Sequence, residues 1–170
     1  DEDPDYHQEC LNLIEHLGLA EVSLPGRVDI RRYVPQMDVM VLTSISEGQP
    51  LAILEGMLLH KPWVATNVGS CSQLLQGNAG DELGEAGLLT PVMDVKRIAE
   101  AIIRLAKDES LRLKMGEVGY ARALRDYRQS DMFASYRALY GAPRQAYDVL
   151  SAAPIAANKR EERWQASALS

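Results

Sequence analysis

Residues 38–55, DVMVLTSISEGQPLAILE, constrain this chain more than any other stretch. Val39-Met40-Val41-Leu42 is an apolar, β-branched run bounded by Pro35 and a serine-rich segment, the pattern of a short parallel strand buried on both faces. The polar turn Ser44-Ile45-Ser46-Glu47-Gly48-Gln49 follows, and then Pro50. Proline suits the first helical position, where its missing N–H is no loss. Leu51, Leu54, Met57 and Leu58 then recur at helical spacing. The expected unit is strand, tight turn, helix, with Gly48 and Gln49 beyond the carboxyl end of the strand.

That junction has a chemical consequence. The first N–H groups of a helix have no internal acceptor, and the helix dipole places about half a positive charge there. A phosphate can bind such an end without a lysine or a metal. Pro50 offers no N–H, so the expected donors are Gly48, Gln49, Leu51 and Ala52. Glu47 and Glu55 flank this end, and a helical side chain leans back toward the N-terminus. Five residues of helix rise only ~7.5 Å, so both carboxylates can reach a ligand seated there. Spacing alone is weak, since Asp1/Glu9, Glu21/Asp29, Glu100/Asp108 and Glu109/Glu117 stand equally far apart. Only Glu47 and Glu55 straddle a strand-turn-helix junction.

The segment SEGQPLAILEGMLLHKPWVATNVGSCSQLL resembles the donor-binding region of retaining glycosyltransferases of family four, which have the two-domain GT-B fold. More narrowly, LTSISEGQPLAILE followed by VATNVGSC resembles the glycosyltransferase of Pel-type exopolysaccharide synthesis. The likeness covers roughly residues 1–140. It implies that Glu47 meets hydroxyls of the donor sugar, that Glu55 meets the ribose, and that amides of Gly48, Gln49 and Leu51 around Pro50 hold the diphosphate. It implies backbone contacts to the base near Gly26-Arg27-Val28, although a plain turn after Pro25 explains those residues equally well. Gly69, in a second turn at the same sheet edge, helps shape the donor pocket, whereas Ser70 reads as the N-cap of a short helix. The implied partners are a UDP-sugar donor, a polysaccharide acceptor, an N-terminal domain of the same protein and an inner-membrane synthase complex. No metal or other cofactor is implied.

Three departures stand against the family pattern. His60-Lys61 replaces a small residue and glycine, which leaves open how the helix closes. Gln73 stands where a glutamate is common. The Arg and Lys that neutralise the diphosphate in the family lie upstream of this chain, as does the acceptor domain.

Strands alternate with helices early in the chain, and only helices follow from Asp94, which N-caps one bearing Ile98, Ile102 and Leu105. This order predicts a doubly wound, Rossmann-like parallel α/β sheet with C-terminal helices, one half of a GT-B fold on the resemblance. Further expected elements are a helix from Pro4 closed by Gly18, a strand at Val22–Leu24, and a short helix capped by Asp29. Beyond the central unit come a strand at Trp63–Thr66, a loop over Gln76–Ala86, a strand at Gly87–Thr90, a helix capped by Ser110 and another over Met132–Leu139. Residues 1–140 are expected to be a nucleotide-sugar-binding domain lacking its first strand or strands. Residues 141–170, rich in Ala and charge, are expected to be a flexible or partner-dependent tail. The opening DEDPDY, without an initiating Met, is expected to belong to a longer protein.

A net charge of -6 disfavours nucleic acid and anionic membrane surfaces. It also repels phosphate at long range, so a phosphate site must rely on local donors. Two cysteines, Cys10 and Cys71, make no disulfide framework and suit a reducing compartment. With no apolar run of membrane-spanning length, the expected location is cytoplasmic, and the resemblance implies a place peripheral to the inner membrane. His7, His16 and His60 lack metal-ligand spacing. Neither G-x-G-x-x-G nor G-x-x-x-x-G-K-[ST] occurs, which disfavours a dinucleotide oxidoreductase or P-loop NTPase. Two other readings stand beside this one: a GT-B sugar-nucleotide epimerase, which shares the architecture, and a non-catalytic donor-binding or assembly module.

Overall fold

The computed structural model describes residues 3–141, so the expected tail beyond Gly141 lies outside the described residues. The chain divides into two compact units, residues 1–36 and residues 37–170.

The first unit opens with α1 (Pro4–His16), capped by Asp3, whose Oδ1 accepts the Tyr6 N–H at 3.0 Å. The helix closes as a Schellman motif with Gly18 at φ +64°, its Gly18 and Leu19 N–H groups reaching Glu15 and Ile14 carbonyls. Asp29 caps α2 (Ile30–Tyr33) as expected, and a single 3-10 turn, Val34–Gln36, follows. Val22–Leu24 is not a strand. Its three residues are exposed, the Val22 N–H turns back to the Leu19 carbonyl at 3.2 Å, and the described residues of this unit contain no strand for it to pair with.

In the second unit β1 (Met40–Leu42), β2 (Trp63–Thr66) and β3 (Gly87–Thr90) form a parallel sheet in that order. Met40 is in register with Trp63, and Thr66 with Thr90. Strand side chains alternate between faces. Trp63 and Ala65 therefore join Ile53, Met57, Leu74 and Leu75 on one side, while Val64 joins Leu105 and Met115 on the other. The first side is covered by α3 (Leu51–Leu58), α4 (Cys71–Gln76) and part of α6 (Glu109–Asp126); α5 (Val95–Lys107) covers the second. The last helix among the described residues is α7 (Gln129–Tyr140). Helices on both faces of a parallel sheet make this a doubly wound, Rossmann-like α/β arrangement.

Four local expectations need correction. Only β2 is buried on both faces; Val41 of β1 stays 43% exposed. It shares a face with its register partner Val64, but α5 packs chiefly over β2 and β3 and leaves β1 at the margin. The buried face of α3 is Ile53, Gly56 and Met57, not Leu51 and Leu58. Glu55 lies between those two leucines at helical spacing, and an unpaired carboxylate cannot be buried cheaply, so that face turns outward. Pro50 is the N-cap residue of α3 rather than its first helical residue. Asp108, not Ser110, caps α6, accepting the Leu111 N–H at 2.9 Å.

The absence of glycine after α3 is resolved by His60 itself, which adopts φ +56°. Its N–H and that of Lys61 bond to the Met57 and Gly56 carbonyls at 3.0 and 2.9 Å, the same Schellman closure as α1. A non-glycine residue is disfavoured there by ~1–2 kcal/mol. Stacking on Tyr120, with centroids 4.1 Å apart, and a 2.8 Å contact from Nδ1 to Glu117 Oε1 offset part of that strain.

Candidate functional site

The carboxyl ends of β1 and β2 carry two turns that interlock. From the first turn, Glu47 and Gly48 come against Gly69 and Ser70 of the second. The Gly48 carbonyl accepts both the Ser70 N–H at 2.9 Å and the Ser70 hydroxyl at 3.0 Å. Thr66, fully buried at the end of β2, donates its hydroxyl to the Ser44 carbonyl at 2.5 Å. Ser44 in turn donates its hydroxyl to Glu47 Oε1 at 2.7 Å. This holds the half-buried Glu47 by one oxygen, and no donor reaches Oε2 among the described residues.

Ser70 is the N-cap residue of α4, as expected, and its carbonyl accepts the Leu74 N–H at 3.0 Å, but its hydroxyl does not cap the helix. Its side chain makes no bond to the α4 N-terminus and bridges to Gly48 instead. An N-cap bond is worth ~1 kcal/mol, so the cross-turn contact displaces a competent local alternative. Neither the Thr66 clamp nor the Ser44 contact was anticipated from the residues. The available signal was a hydroxyl residue at the carboxyl end of each of two neighbouring strands.

The two glycines have different causes. Gly69 has φ +51°, and a Cβ there would stand 2.2 Å from the Glu47 carbonyl oxygen, so close approach of the turns requires glycine. Gly48 has no positive φ, and a Cβ there would meet nothing within 4 Å. Packing among the described residues gives no reason for glycine at 48.

Helix α3 opens at this corner. Pro50 makes no side-chain cap, and its carbonyl accepts the Ile53 N–H at 3.2 Å. The Gly48, Gln49, Leu51 and Ala52 N–H groups find no acceptor among the described residues. Leu51, 67% exposed, and Glu55 lie one turn apart on the uncovered face of α3. Glu47, Gly48, Gln49, Pro50, Leu51, Gly69 and Glu55 thus belong to one junction and its helix. Val28 belongs to the first unit, where it is half-buried in the segment leading to α2. At the start of α4, burial pushes the Cys71 thiol pKa up, and the Glu47 carboxylate adds to the shift. This cysteine is fully buried and packs in the core.

Two other features are not part of this corner. A groove of about 480 Å³ between β3 and α5 contains none of the predicted site residues. Its Asp94 and Glu100 balance Arg97 and Arg104, and Asp94 is engaged in capping α5. Among the described residues, no group of three or more His, Cys, Asp or Glu could hold a metal, and no helix is long and apolar enough to cross a membrane.

A parallel sheet with an open helix N-terminus at its carboxyl edge is the arrangement by which α/β folds hold phosphorylated ligands. The chain belongs to the glycosyl transferases group 1 family, whose model matches residues 2–108. Over 142 residues it is 30% identical to N-acetyl-alpha-D-glucosaminyl L-malate synthase of Bacillus anthracis, covering 82% of this chain and 34% of that protein. Over 107 residues it is 32% identical to an Escherichia coli UDP-Gal:alpha-D-GlcNAc-diphosphoundecaprenol alpha-1,3-galactosyltransferase, covering 63% of this chain and 25% of that protein. The fold resembles sucrose-phosphate synthase from Thermosynechococcus elongatus, with a TM-score of 0.70 at 25% identity, over 83% of this chain and 37% of that one. The chain spans about a third or less of the curated relatives compared here.

Proposed function

We propose that this chain is the donor-binding part of a retaining glycosyltransferase that moves a sugar from a UDP-sugar to a growing exopolysaccharide, as in the Pel-type enzymes it resembles. The observation that carries the reading is Gly48, a glycine that neither backbone strain nor packing demands among the described residues, beside N–H groups that find no acceptor there. A ligand approaching the backbone closely supplies the missing reason. Family membership and a relative named for UDP-Gal support the choice of donor.

In this reading the diphosphate sits on the amides from Gly48 to Ala52. These donors and the α3 dipole stabilise the charge that grows on the leaving diphosphate as the glycosidic bond to it breaks. They are fixed before reaction by the Ser70 and Thr66 contacts, so little reorganisation opposes them. Glu47, steadied through Oε1 by Ser44, presents Oε2 to donor-sugar hydroxyls and holds the anomeric carbon in position. Glu55 takes the ribose hydroxyls from one turn along the helix. No side-chain nucleophile is assigned. The acceptor site and the basic groups that complete diphosphate neutralisation come from the rest of a longer protein, so the 170-residue chain alone transfers no sugar.

The test is sugar transfer by the full-length enzyme carrying Glu47→Ala. The reading predicts loss of transfer with UDP affinity largely kept, because Glu47 addresses the sugar and not the nucleotide. Unimpaired transfer by this variant contradicts it.

A further inference from the structure

We infer that Ser70 is a positioning residue that aims the Gln49 peptide N–H at the donor diphosphate, an inference that rests on the donor-site reading above. The argument starts from the planarity of the peptide bond. There are no cis peptides among the described residues, so the Gly48 carbonyl and the Gln49 N–H point in opposite directions across one rigid plane. Ser70 holds that carbonyl by two bonds, from its N–H at 2.9 Å and its hydroxyl at 3.0 Å. The paired contacts fix rotation of the peptide plane, which a single contact leaves freer. The Gln49 N–H is thereby turned away from the β2–α4 turn, and it has no acceptor among the described residues.

Three neighbouring features reinforce the assignment. Ser70 withholds its hydroxyl from its own helix, where a serine at that position ordinarily bonds. Gly69, at φ +51°, brings the two turns into contact; a side chain there would strike the Glu47 and Gly48 carbonyl oxygens. Thr66 fixes the start of the same turn through the Ser44 carbonyl, so the Gly48–Gln49 peptide is held at both ends of its loop. Ser70 touches no substrate in this scheme. It acts through the peptide plane it orients.

The experiment is titration calorimetry of the full-length protein with UDP and, separately, with uridine, for wild type, Ser70→Ala and Ser70→Thr. Ser70→Ala keeps the backbone bond to Gly48, so the variant folds, but it frees the peptide plane. The expected result is a UDP affinity about threefold to tenfold lower, the scale of one weakened hydrogen bond, with uridine affinity unchanged. Ser70→Thr, which keeps the hydroxyl, restores UDP affinity. A purely structural role predicts equal losses for UDP and uridine, and that outcome overturns the inference. Unchanged UDP affinity in Ser70→Ala overturns it too, while leaving the donor site standing. If wild type binds UDP no better than uridine, the diphosphate is not held here and the donor-site reading fails as well.

Discussion

Asp81 and Glu47 are both carboxylates in loops, and the contrast between them separates what holds the fold from what is left available for a ligand. Asp81 lies in the α4–β3 loop with its side chain 3% exposed. Its Oδ2 accepts Arg122 Nε at 3.1 Å and Arg125 Nη2 at 2.7 Å, and its Oδ1 accepts the Leu83 N–H at 2.9 Å. Arg122, its side chain 1% exposed, spends its remaining donors on the Leu74, Leu75 and Gly84 carbonyls. The cluster pins the end of α4 and the loop before β3 to α6, with its polar capacity used internally. Glu47 has one oxygen engaged by Ser44 and stands beside four N–H groups that have no acceptor among the described residues. The bonds close on themselves at one place and are left unfinished at the other, so the first serves the architecture and the second leaves capacity that the proposed donor would use.

The contrast can be broken most decisively at Arg122. Arg122→Ala leaves the Asp81 carboxylate and several carbonyls short of partners in a buried place, and we expect a loss of about 3–5 kcal/mol in urea unfolding. A loss under 1 kcal/mol would mean that the cluster is not a structural anchor. Gly69→Ala comes next, because the added methyl meets backbone, not a flexible side chain. Left-handed strain and overpacking together predict about 2–4 kcal/mol lower stability, read the same way.

Glu55→Ala should do the reverse. In the full-length enzyme its stability stays within about 0.5 kcal/mol of wild type. UDP affinity falls roughly tenfold or more, as expected for a lost charged hydrogen bond. Unchanged affinity by titration calorimetry removes the ribose role.

Acid sharpens the contrast more gently. Hydrogen bonds from Arg125, the Leu83 N–H and Arg122 hold the Asp81 carboxyl well below the usual carboxylate range. A folded-state pKa below the unfolded value, near ~3.9, stabilises the fold above that pH. The contribution is lost progressively as pH falls below about 4 toward the depressed folded value. Wild type should therefore lose more stability between pH 7 and pH 3 than Asp81→Asn does. Equal losses would show that Asp81 is not the sensor.

The central strand-turn-helix was legible because its signals were local: an apolar β-branched run, a glycine turn and a proline ahead of helical spacing. The resemblance then singled out Glu47 and Glu55, which spacing alone did not. What could not be read depended on tertiary partners. The outward turn of Leu51 and Leu58 follows from which face α3 gives to the core, and the exposure of Val41 follows from how far α5 reaches. Val22–Leu24 had strand composition but no strand among the described residues of its own unit to pair with. Arg122 was missed although the sequence held a clue. It continues the Leu111, Met115, Val118 stripe of α6, and a charge on an apolar face needs a partner, which Asp81 supplies from 41 residues away. Ser70 holds the N-cap position as read, but the destination of its hydroxyl was missed because the acceptor, Gly48, lies 22 residues back along the chain.

The most direct measurement is calorimetric titration of UDP against the full-length enzyme with Gly48→Ala, paired with its thermal unfolding. The account predicts an unchanged unfolding temperature, because the new methyl meets nothing within 4 Å, together with an affinity about tenfold lower. Wild-type affinity in Gly48→Ala would contradict the claim that a diphosphate closes on this backbone.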